Sequence, residues 1–211
     1  MIRSRYRYIE KLRENYAERK KAIRARLAEF ATVKPEEYFY ELAYCLLTPQ
    51  SSAVNAGQVV DALKKNDLLN RDIDVLPLLR NGSSYIRFHN TKSRHLLEAK
   101  EKFGEILARL TDGLASDELR SWLVENVKGF GWKEASHFLR NIGHRDLAIL
   151  DRHILKNLRK HGVIGVVPKS LTMKRYLAIE KKYQQFATEV GISVDELDLL
   201  FWSRETGQIL K

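Results

Sequence analysis

The chain has 211 residues, enough to bury a sizeable core as one domain or as two small lobes. It carries 37 Lys/Arg against 27 Asp/Glu, a formal net charge of +10, which points to a polyanionic partner: nucleic acid, an acidic protein or an anionic membrane. One cysteine, Cys45 in the apolar run ELAYCLL, excludes an internal disulfide framework and a cysteine-ligated cluster, and suits a buried small hydrophobe. The N-terminal MIRSRYRYIE lacks the apolar core of a secretory signal, and no run approaches the roughly 20 apolar residues of a spanning helix. The expectation is a soluble protein without a membrane partner.

In chain order the pattern is helical almost throughout. Residues 5 to 30 place Tyr8, Leu12, Tyr16, Ile23 and Leu27 at helical intervals, with ten Lys/Arg and four Asp/Glu among residues 1 to 30. That basic excess reads either as a solvated face or as a phosphate contact. Pro35 with Glu36 and Glu37 opens a helix through YFYELAYCLL that stops near Thr48-Pro49. Serines precede a helix in SSAVNAGQVVDALKK, a short helix covers 72 to 80, and NGSS at 81 to 84 is a loop. NTKSRHLLEAKEKFGEILARL reads as one long amphipathic helix opened by Asn90, and Ser116 starts DELRSWLVENV. Asp151 can cap RHILKNLRK, Ser170 a long helix ending at Gly191, and Ser193 with Glu196 forms a capping box for the last helix. The β-branched VIGVV at 163 to 167 is too short and isolated to build a sheet. The fold class is all-α.

The segment VKGFGWKEASHFLRNIG, residues 127 to 143, sets Gly129 and Gly131 between two helices with about four residues to connect them. So tight a reversal needs positive φ or close backbone approach, and glycine permits both. The bare N–H groups of Gly129, Gly131 and the next helix turn can then face outward and bind an anion such as a DNA phosphate. The outward carbonyls could hold a monovalent cation. An ordinary helix-helix turn remains an alternative for the Gly-x-Gly alone. Lys133 follows the hairpin and Asp151 lies eighteen residues on, at a helix start. Each has a plain reading, as a solvated lysine and an N-cap. Together they can also be an amine nucleophile and a carboxylate facing each other across a DNA groove.

These residues resemble the helix-hairpin-helix DNA glycosylase superfamily, which carries a Gly-x-Gly hairpin, a lysine just after it and an Asp roughly twenty residues later. LLTPQSSAVNAGQVVDAL and HNTKSRHLLEAKEKF are similar to further segments of that superfamily, so the likeness spans most of residues 40 to 160. One cysteine cannot build the four-cysteine iron–sulfur cluster of some branches. The C-terminal DELDLLFWSRETGQILK, ending on Lys211, is similar to the short archaeal-type 8-oxoguanine DNA glycosylase/AP lyases. The resemblance implies two helical lobes with a DNA-binding cleft between them. Residues 33 to 143 would carry the helix-hairpin-helix (about 116 to 143), and residues 1 to 32 plus 144 to 211 the second lobe.

The chemistry that the resemblance implies is excision of 8-oxoguanine from duplex DNA through a Schiff base on Lys133, followed by β-elimination, with Asp151 stabilising charge on the sugar. It assigns Gly129 and Gly131 to a phosphate, Gln50 to the gap left by the flipped base, and Arg87 and His89 to the opposite base. Trp202, Asp198 and the Lys211 carboxylate are its candidates for base recognition, although core packing explains Trp202 equally. No catalytic metal or cofactor is required. The expected state is a monomer in the cytoplasm, associated with the nucleoid. A non-catalytic hairpin module and a glycosylase for another oxidised or alkylated base are the alternatives left open.

Overall fold

A computed structural model describes residues 6–209, apart from the Thr206 side chain. Among the described residues there are eleven α-helices and no strand, and VIGVV passes as turns and irregular chain. The helices are α1 (Ile9–Phe30), α2 (Tyr38–Leu47), α3 (Ala53–Lys65), α4 (Leu76–Leu79), α5 (His89–Glu101) and α6 (Phe103–Thr111). After them come α7 (Ser116–Asn126), α8 (Trp132–Asn141), α9 (Arg152–Lys160), α10 (Met173–Val190) and α11 (Val194–Thr206). Among the described residues no helix is long and apolar enough to cross a membrane.

The chain forms two compact units. One is continuous, from Val33 to Ile142; the other combines the residues up to Thr32 with those from Gly143 onward. The continuous unit is built around α2, whose residues Phe39 to Leu47 are all buried. A helix that is apolar on every side must sit inside, and α3, α5 and α8 pack on it. Its one acidic residue, Glu41, is 8 % exposed and accepts from Asn141 Nδ2 at 3.1 Å, which offsets part of the cost of burying a carboxylate. In the other unit α1 packs along α11. Tyr16 Oη donates to Glu196 at 2.6 Å, and Arg24 Nε meets the same oxygen at 2.8 Å. Burial, then the Glu196 carboxylate, pushes the Tyr16 phenol up to about 12. Burial also works against the Glu196 charge, but the Tyr16 and Arg24 hydrogen bonds outweigh it and hold the carboxyl below its ordinary range. Ser193 and Glu196 close the capping box at the start of α11.

Several boundaries differ from the sequence expectation. The long helix opened by Asn90 is two helices: it starts at His89 and breaks at Lys102, where ψ is 0°. The break turns Phe103 inward, edge-on to Phe39 with ring centroids 5.3 Å apart. The short helix expected over 72 to 80 is confined to α4. Thr172, not Ser170, caps α10 through the Arg175 amide. Tyr8 lies outside the buried face of α1, in a left-handed conformation with φ 58° and 62 % exposed.

Candidate active site

The hairpin between α7 and α8 is a β-turn in which Phe130 N–H donates to the Val127 carbonyl at 3.1 Å, with Gly129 at the third position and φ 90°. A positive φ there is the signature of a type II turn. A second constraint is packing: a Cβ on Gly129 would lie 2.5 Å from His95 Nδ1 and 3.0 Å from Leu46 Cδ2. The turn is fixed from behind by Arg120, which donates to Ser136 Oγ at 3.3 Å and lies 4.9 Å from the Trp132 ring centroid.

Gly131 departs from the expectation. Its φ is −106°, ordinary extended backbone, and its N–H already donates to Glu134 Oε2 at 3.2 Å. The amide expected to face an anion is therefore taken by a carboxylate of the same helix, so a phosphate would compete with Glu134 for it. The glycine makes room for this contact, since a Cβ would stand 3.1 Å from Glu134 Oε2.

Lys133 is the second residue of α8, and its side chain is 24 % exposed with Nζ 3.2 Å from Glu134 Oε1. Glu134 thus touches the hairpin through one oxygen and the lysine through the other. Lys92, one turn into α5, is a residue that the sequence reading passed over. It is 7 % exposed, and its ammonium donates to the Leu47 carbonyl at 2.6 Å, the Pro49 carbonyl at 2.6 Å and Ser51 Oγ at 3.1 Å. Burial, with the Lys133 and Arg87 cations as lesser causes, pushes the Lys92 amine down to about 8, while Glu134 opposes the shift.

The residues expected at the gap left by the flipped base (Gln50) and near the opposite base (Arg87 and His89) lie in this same unit. Gln50 is exposed at the turn after α2 with φ 56°. Arg87 is exposed; its N–H donates to Ser51 Oγ at 3.0 Å, and its guanidinium lies 5.3 Å from the Phe88 ring centroid. His89 begins α5, half-buried and edge-on to Tyr85 at 5.5 Å. Phe88, 51 % exposed with φ 58°, was not singled out from the sequence, although an aromatic ring before a basic helix is the kind of group that enters DNA base steps.

The unit made from both chain ends holds the remaining candidates. Asp151 caps α9, its Oδ1 accepting from Ile154 N–H at 2.7 Å. Its other oxygen, Oδ2, accepts from Trp202 Nε1 at 2.9 Å. The structure therefore brings Asp151 and Trp202 together, fifty-one residues apart, and the carboxylate is a double acceptor rather than a simple cap. Trp202 is partly exposed and also meets the His153 ring, with centroids 5.6 Å apart. Asp198, one turn earlier on α11, is only 3 % exposed. Lys211 lies outside the described residues.

An all-helical chain with a Gly-x-Gly turn between two helices and a lysine at the start of the second has the construction of a helix-hairpin-helix DNA glycosylase. The sequence model for 8-oxoguanine DNA glycosylase matches residues 23–192, and the chain belongs to that family. It is 43 % identical to the 8-oxoguanine DNA glycosylase/AP lyase of Fusobacterium nucleatum, over 97 % of this chain and 98 % of that protein. The Thermotoga maritima 8-oxoguanine DNA glycosylase superposes with a TM-score of 0.86 at 31 % identity, covering 96 % of this chain and 98 % of that one. The Methanocaldococcus jannaschii 8-oxoguanine glycosylase/lyase, solved with a 15-mer DNA containing 8-oxoguanine, gives a TM-score of 0.87 at 33 % identity. That match covers 96 % of this chain and 99 % of the other.

Proposed function

We propose that the chain is a bifunctional base excision repair enzyme: a DNA glycosylase that removes 8-oxoguanine from duplex DNA, and an AP lyase that then cuts the strand. The observation that supports this most is Lys133, held two residues past Gly131 at the start of α8 in a chain of this family. A hairpin that only clamps phosphate needs no such amine, and a different lesion finds no support in the family match.

On this reading the target nucleotide leaves the stack, at a cost of a few kcal/mol in base stacking and pairing. Lys133 Nζ gives up a proton, which Asp151 helps to handle, and bonds to C1′ as the glycosidic bond breaks; the electron pair leaves with the base, which takes up a proton. The C1′–O4′ bond then breaks with its electron pair and a proton going to O4′, which opens the sugar ring to an iminium between Nζ and C1′. Loss of a C2′ proton then expels the 3′-phosphate oxygen with the C3′–O electron pair. Asp151 supplies the fixed negative charge for the cation that develops on the sugar. Both steps use side chains alone. A monovalent cation at the hairpin carbonyls, where it would neutralise a phosphate, is part of this proposal. So are the assignments of Gly129 and Gly131 to phosphate, Trp202 and Asp198 to the base, and the monomeric, nucleoid-associated state.

The test is borohydride trapping on duplexes containing 8-oxoguanine. The wild-type chain should form a covalent protein–DNA adduct, and Lys133→Gln should form none while retaining duplex binding. A full yield of adduct from Lys133→Gln would move the nucleophile elsewhere.

A further inference from the structure

Among the described residues, five non-glycine residues adopt positive φ, and the turns holding two of them, Gln50 and Phe88, are both bonded to Lys92. Gln50 is the third residue of a turn in which Ser51 N–H donates to the Thr48 carbonyl at 2.9 Å, with Pro49 second. That is the pattern of a type II turn, whose third position ordinarily takes Gly or Asn. An exposed glutamine held there costs on the order of 1–2 kcal/mol, and such strain persists only where the surroundings over-determine it.

Lys92 provides that determination. Its ammonium binds the turn at three points: the last carbonyl of α2, the Pro49 carbonyl just before Gln50, and Ser51 Oγ just after it. A cation at the C-terminal end of α2 also opposes that helix's partial negative charge. The same residue reaches the second turn through its backbone, where Lys92 N–H donates to the Phe88 carbonyl at 2.9 Å. Ser51 Oγ closes the loop by accepting from Arg87 N–H at 3.0 Å. A buried ammonium is expensive, and replacing it by an apolar group is often neutral or stabilising, so stability alone does not account for it.

We infer that Lys92 is a positioning residue, which locks Gln50 and the Arg87–Phe88 turn into one preformed element that enters the duplex where the damaged base leaves it. This rests on the reading of the chain as a glycosylase that extrudes its target. Lys92 acts through Gln50 and has no step of its own in bond breaking. The groups facing its charge are Lys133 and Glu134 from α8 and Arg87 from the loop before α5.

The test is a double-mutant cycle on single-turnover excision of 8-oxoguanine from duplex DNA, with Lys92→Met, Gln50→Ala and the pair. Each single variant should excise about tenfold more slowly, the scale of a misplaced positioning group. The double variant should be no slower than the slower single one. Trapping of the same proteins on a preformed abasic site in single-stranded DNA, which has no opposite base, should stay within about threefold of wild type. Losses that multiply in the double variant, or excision and trapping that fall together, would overturn the inference. Should Lys92→Met not fold, Ser51→Ala, which cuts the link to Arg87, takes its place in the cycle. It should slow excision less, again without adding to Gln50→Ala, and wild-type excision by it would also overturn the inference. A wild-type chain that neither excises nor traps would instead refute the enzymatic reading on which the cycle depends.

Discussion

Replacing Asp151 by asparagine separates its two contacts. The aspartate offers one oxygen to Ile154 N–H at 2.7 Å and the other to Trp202 Nε1 at 2.9 Å. Asparagine has the same shape but one acceptor oxygen, so one of the two donors must face an amide NH₂ group. A hydrogen bond to a charged acceptor contributes about 1.5–3 kcal/mol, and orphaning a buried donor costs about 1–3 kcal/mol. Asp151 and Trp202 are partly exposed, so water can relieve some of this, and the expected loss for Asp151→Asn is about 1–2 kcal/mol. In a Trp202→Phe background the indole donor is gone, and asparagine serves Ile154 as a good N-cap at a cost of only a few tenths of a kcal/mol. Urea unfolding at 25 °C, followed by far-ultraviolet circular dichroism on all four proteins, gives the coupling. Equal losses in the two backgrounds would refute the Asp151–Trp202 interaction as described. Single-turnover excision on the same preparations tests the chemistry separately. Loss of the fixed charge should slow excision by about 10²–10³-fold per folded molecule, whereas normal turnover would leave Asp151 a structural cap.

Other outcomes follow from the continuous unit. The folded chain holds the Lys92 proton less tightly than the unfolded chain does, about 8 against 10.5, so the unfolded state binds more protons between those values. The stability difference between wild type and Lys92→Met should therefore shift in favour of wild type as pH rises from 8 to 10.5, by about 3 kcal/mol in urea titrations. A difference that stays flat with pH would contradict the depressed amine. Gly129→Ala adds a Cβ 2.5 Å from His95 Nδ1 at φ 90°, and unfolding midpoints should show a loss of about 2 kcal/mol or more. Glu134→Gln keeps an acceptor for Gly131 N–H but removes a negative charge from the hairpin. Fluorescence anisotropy should show duplex binding tightened about three- to tenfold at low salt, with the gain shrinking as salt rises.

The parts of this arrangement that were legible in the sequence are the local ones. Asp151 as an N-cap, the Ser193–Glu196 box and the Gly129 turn each depend on residues within four positions of one another. Their chemistry is carried by residue type and spacing alone. What escaped was set by distant packing. Nothing in LAILDRHIL announces that the second Asp151 oxygen receives the indole N–H of Trp202. Lys92 sits in NTKSRH among other polar residues, and its meaning comes from carbonyls more than forty positions earlier. The break at Lys102 was hidden because the apolar spacing runs straight through it; the burial of Phe103 against Phe39 decides it. The Glu134 contact to the Gly131 amide was hidden because Glu134 also reads as a favourable first-turn acid.

The unit assembled from both chain ends imposes an order on biosynthesis. Helix α1 leaves the ribosome well before α11, against which it packs and which starts more than 160 residues after α1 ends. At about 5–20 residues per second, the apolar stripe of Leu12, Ile23 and Leu27 waits on the order of ten seconds or more for its partner. During that interval the whole segment from Val33 to Ile142 emerges and can fold on its own core. The chain re-enters the unit at Gly143, where φ is 102° and a Cβ would stand 3.2 Å from the Ala31 Cα. Any side chain at that crossing would obstruct the closure that finally gives α1 its partner. Premature termination between Ile142 and α11 would therefore release a folded hairpin unit trailing an unprotected helix, a product suited to proteolysis.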